Sequence, residues 1–227
     1  MKEWQEEMQR KPSLLNEAAK SFQTTFNEII PDKVHEFITN AIKQITKGVI
    51  SGAGFITPIK KRKESLELME TVVKERIKFY RSSAAVEGAV TGYGGFLSGL
   101  ADLPIWLTLK KKMLFEIAAH YGFDVKDHKE RVFILHVFQI TFSSQKHRNE
   151  IYPIMANWAL QKENLPDDLN DMDWRTYWEE YRDNIDLAKL LQLIPGFGAI
   201  VGTMVNYQLT QKLGTYAMNA YRMRLKL

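Results

Sequence analysis

Glu87 and Asp102 are the residues of this chain best placed to do chemistry. Each is an acid beside a long run nearly bare of charge: residues 88–109 hold only Asp102, and residues 190–211 hold no charged side chain. A carboxylate carried into apolar surroundings loses solvation, so it needs a partner or binds its proton more tightly. Two such groups facing one cavity would suit general acid–base work of a hydrolytic kind. The simpler use of the same residues is structural, an ion pair between Glu87 or Asp102 and Arg222 or Arg224 near the C-terminus. Asn206 and Tyr207, in the second uncharged block, complete a candidate polar cluster of Glu87, Asp102, Asn206, Tyr207 and Arg222.

Other chemistries are poorly supplied. The chain has no cysteine, which removes disulfides, thiolate nucleophiles and cysteine-ligated metal. It has no phosphate-binding loop motif, and Gly196-Phe197-Gly198 running on to Gly202 lacks both the preceding strand and the following acid of a dinucleotide site. The five histidines, His35, His120, His128, His136 and His147, show no HExxH spacing. A metal site from His128, His136 and Asp124 or Asp127 is the weaker alternative to no metal at all. Ser82-Ser83 and Ser143-Ser144 have no recognisable base, and there is no nucleophile-elbow motif. The sequence therefore predicts no metal and no cofactor. With a net charge of +4 and a pI near 9.0 the chain is only mildly basic, which argues against a dedicated nucleic-acid binder.

The elements that must position these residues are helices. Gly88, Gly92, Gly95 and Gly99 fall on one narrow stripe at 100° per residue, beside an apolar face of Val86, Ala89, Val90, Tyr93, Phe96, Leu97 and Leu100. Glycine costs a helix about 1 kcal/mol relative to alanine, so such a stripe implies close approach of another backbone. Gly198 and Gly202 repeat the spacing, and Gly214, Ala217 and Tyr221 carry a small-residue line onward. Around these stretches the apolar periodicity predicts helices over 13–30, from Asp32 to about Val49, and over 64–81 with Leu66, Met69, Val72, Val73, Ile77 and Tyr80 inward.

Asp102-Leu103-Pro104 breaks and restarts the chain into a helix that uses Trp106, Leu109, Met113, Ile117 and Tyr121 as one face and stops at Gly122. Asp127 and Glu130 have capping-box spacing ahead of a helix ending near Phe142. Residues 143–150 are polar and read as a loop; a helix follows at about 152–162, and then an exposed acidic loop over 164–173. Trp174, Tyr177, Trp178, Tyr181 and Ile185 recur at helical spacing as core. No strand pattern appears. The expected fold is an all-α, multi-helix bundle in which two glycine-rich helical hairpin regions pack together. Lys60, Lys61, Arg62 and Lys63 form a basic run that reads as a solvated loop or as a contact to anionic lipid headgroups. Residues 1–12 carry acids and lack the apolar core of a signal peptide. The uncharged stretches reach spanning length, but Gln192, Pro195, Thr203, Asn206 and Gln208 dilute the second.

Two segments carry a resemblance. AAVEGAVTGYGGFLSGLADLP followed by IAAHYGFD, over 84–124, and IPGFGAIVGTMVNYQLTQKLGTYAMNAYRMRL, over 194–225, resemble the EcsC family of bacterial proteins. Members often place arginine in the helix after ADLP, where this chain has Lys110-Lys111-Lys112. The resemblance implies one EcsC-like helical domain over 1–227, with N-terminal helices and the basic loop over 1–63 and the core over 64–227. The family is named for a gene neighbour of the Ecs ABC transporter, and it brings no catalytic residues with it. It implies a non-enzymatic accessory or regulatory protein, cytoplasmic or peripheral on the inner face of the cell membrane. The expected partners are an anionic membrane surface, attracted by the basic segments Lys60–Lys63 and Lys110–Lys112, and an ABC transporter subunit, not nucleic acid. The alternatives are a helical lipid or small-molecule carrier with its cavity between the glycine helices, and a hydrolase-like enzyme using Glu87 and Asp102.

Overall fold

The computed structural model describes residues 1–11, 32–51, 65–91, 103–184 and 199–227. Every regular element among them is helical: α1 (Lys2–Gln9), α2 (Asp32–Ile50), α3 (Leu66–Thr91), α4 (Leu103–His120), α5 (His128–Phe142), α6 (Gln145–Ala156), α7 (Trp158–Gln161), α8 (Trp174–Asn184) and α9 (Ala199–Arg224). Single 3₁₀ turns at Lys162–Asn164 and Leu169–Asp171 join α7 to α8. The helix expected over 13–30 lies outside the described residues, as do the links 92–102 and 185–198 of the two glycine-rich hairpin regions.

Short polar residues set the helix starts. Ser65 Oγ accepts from the Leu68 N–H at the head of α3. Asp127 Oδ1 accepts from the Lys129 N–H at the head of α5. Ser144 caps α6 through the His147 N–H, and Asp173 caps α8 through the Thr176 N–H and hydroxyl. These bonds satisfy amides that have no carbonyl one turn earlier. Pro104 sits in the first turn of α4, where its missing N–H costs nothing. Gly122 ends α4 with φ +85°. Its N–H donates to Ala119 O and the Phe123 N–H to Ala118 O, the paired bonds of a Schellman stop.

α9 is the central element. It runs antiparallel to α3, its longest partner, and also packs on α4, α5 and α6. Paired residues give the register: Glu70 with Arg222, Ile77 with Gly214, and Arg81 with Gln211. At Gly214 a Cβ would stand 2.7–2.9 Å from three atoms of Ile77, so this glycine is what lets α3 and α9 come so close. α2 lies across α4 and α5, α8 lies on α2, and α1 lies on α6.

Three expectations need correction, and one helix was not foreseen. Residues 145–150 are the first half of α6 rather than loop, because Ser144 caps them and because His147 and Arg148, although polar, are buried. The eight-residue α1, with Trp4 and Met8 buried, goes unforeseen in an acid-rich segment. Leu66 is exposed at the first turn of α3, ahead of the buried line of Met69, Val73, Ile77 and Tyr80. α4 buries Lys110, Leu114, Phe115, Ala118 and Ala119 as well as Met113, Ile117 and Tyr121, so it is enclosed nearly all round rather than along one face, and Lys110 is not presented to a lipid surface.

Candidate functional site at the end of the C-terminal helix

The segments Tyr121-Gly122-Phe123-Asp124 and Tyr221-Arg222-Met223-Arg224 are far apart in the sequence and meet in the fold. The Schellman stop turns the chain sharply after α4 and brings Phe123 back against the last turn of α9. Tyr121 stacks on Tyr221 with ring centroids 5.7 Å apart and planes 17° apart. Phe123 and Phe133 approach the same Tyr221 ring at 5.0 and 5.4 Å. The Arg224 guanidinium lies 3.9 Å from the Phe123 centroid and 4.3 Å from that of Phe133, a geometry in which the positive plane meets the negative ring faces.

Two carboxylates complete the cluster. Arg222 grips Glu70 through Nε to Oε1 at 2.5 Å and Nη2 to Oε2 at 2.6 Å, and its Nη1 donates to Asn219 Oδ1. That two-point contact holds the Glu70 carboxyl below its ordinary range. Arg224 Nη1 donates to both oxygens of buried Glu130, at 2.8 and 2.7 Å, and the Tyr221 hydroxyl donates to Oε1 at 2.8 Å. Burial pushes Glu130 upward, while the guanidinium and the hydroxyl pull against it. Burial also pushes the Tyr121 hydroxyl up to about 12 and Tyr221 well above its usual value. Each charge is thus spent on a partner inside the cluster. Its chemical capacity is to lock α3, α4, α5 and α9 together rather than to move protons.

A similar tie stands one level away. Arg76 Nε donates to Glu116 Oε2 at 2.6 Å and the Tyr80 hydroxyl to Oε1 at 2.7 Å, joining α3 to α4. Farther along α9, Arg81 lies over the Tyr207 ring at 4.1 Å and donates to Gln211 at 2.7 Å.

The structure distributes the sequence candidates as follows. Tyr207 and Arg222 stand fifteen residues apart on one continuous helix, roughly 22 Å at 1.5 Å per residue, and have different partners. Glu87 and Gly88 lie in the last turns of α3, and Gly202 and Asn206 in the first turns of α9. Gly92, Gly95, Gly99, Asp102, Gly198, Lys60, Lys61, Arg62 and Lys63 lie outside the described residues. Arg222 and Arg224 are ion-paired as the structural reading expects, but with Glu70 and Glu130. Glu130 caps nothing and turns inward, away from the capping-box role its spacing suggests. Both acids had a signal in the sequence. Glu70 sits one turn before Val73 on the stripe Val73–Ile77–Tyr80, and Glu130 one turn before Phe133, so each is a charge on an apolar stripe.

The comparisons with known proteins agree with these motifs. The model of the EcsC protein family matches residues 1–225. Protein EcsC of Bacillus subtilis (strain 168) is 40% identical over 225 residues, covering 98% of this chain and 92% of that protein. The uncharacterized protein YdbA of the same organism is 31% identical over 165 residues, covering 72% of this chain and 60% of that protein. No solved structure matches. The chain belongs to the EcsC protein family.

Proposed function

We propose that this chain is a non-enzymatic accessory or regulatory protein that works on the cytoplasmic face of a membrane, beside an ABC exporter. The observation that carries the reading is the fate of the motif residues. Tyr121, Phe123, Tyr221, Arg222 and Arg224 meet in one cluster, and their charges are neutralised by Glu70 and Glu130 within it. Residues used in this way fix a shape, and a fixed shape serves recognition. No helix among the described residues is long and apolar enough to cross a membrane. The basic run at Lys60, Lys61, Arg62 and Lys63 is suited to supply that attachment, at about 1 kcal/mol per residue on an anionic leaflet.

The test is sedimentation of the purified chain with vesicles of neutral or anionic lipid across a salt series. The reading expects pelleting with anionic vesicles that fades as salt rises, and that weakens when residues 60–63 are reversed to glutamate. Absence of pelleting, together with absence of co-purification with the ATPase subunit of an exporter, would refute it.

A further inference from the structure

We draw no further inference here: the strongest candidate, the outward face of α3 on which Leu68 and Phe79 stand half exposed with Val72 and Glu75 between them, carries nothing, because nothing in the structure shows what covers it.

Discussion

Gly214 is the point at which the glycine reasoning meets a measurable energy. Replacing it with alanine adds one carbon at 2.7, 2.8 and 2.9 Å from Cγ1, Cγ2 and Cδ1 of buried Ile77. Carbon atoms at rest stand about 3.5–4.0 Å apart, so roughly 1 Å must be found. Rotating Ile77 does not find it. A β-branched side chain fills two of the three staggered positions about χ1, and both filled positions are too close. Any other rotamer leaves at least one γ carbon against the new methyl. α3 and α9 must then move apart or strain, a cost of about 1–3 kcal/mol for an overpacked core. The gain from alanine in a helix is about 1 kcal/mol, so a net loss of up to about 2 kcal/mol is expected.

The assay is urea unfolding followed by far-ultraviolet circular dichroism, run as a double-mutant cycle with Ile77→Ala. That partner removes all three crowding atoms, and alone it costs about 2–5 kcal/mol by opening a cavity. The alanine at 214 then fills part of the space. The double variant is expected to be more stable than the sum of the single changes by at least about 1 kcal/mol, well outside the scatter of independent sites. A Gly214→Ala chain more stable than the original, or strict additivity in the cycle, would refute the close-approach argument.

Three further changes test the rest of the fold. Arg224→Lys keeps the charge on Glu130 but loses the plane held between Phe123 and Phe133; a loss of about 1–3 kcal/mol is expected in the same unfolding assay, because an ammonium cannot stack. Gly122→Ala meets open space, so its cost comes from φ +85° alone, about 1–2 kcal/mol, with Gly122→Asn cheaper. Burial against Trp158 pushes His136 down to about 4, so below its unfolded value near 6.5 the unfolded chain takes the proton first. Its contribution is complete above about pH 6.5 and is lost as pH falls towards 4, by at most about 3 kcal/mol, and His136→Gln should flatten that part of a stability–pH curve.

What could be read in the sequence divides by the range of the interaction involved. Helix limits are set within one turn, by Ser65, Asp127 and Gly122, and those at Asp127 and Gly122 were legible because a cap acts on its own neighbours. The burial of α4 was only half legible, since a side chain such as Phe115 declares itself apolar but not which of several neighbouring helices will cover it. The start of α6 was misread, and α1 was missed, for the same reason in a stronger form. Arg148, His147 and Glu7 look like surface residues until a contact 141 positions away in the chain brings Glu7 to Arg148. Composition cannot report such a pairing, because each half alone is best left in water.

Glu70 and Glu130 occupy the middle ground. Their place on apolar stripes marks them as charges that must find cations, and the arginines at 222 and 224 are visible in the sequence. That Glu70 meets Arg222 depends on the antiparallel register of α3 with α9, and Gly214 against Ile77 sets that register. The small-residue line and the ion pairs are therefore one device. Close approach at Gly214 aligns the helices, and the alignment delivers Arg222 to Glu70 two turns farther on.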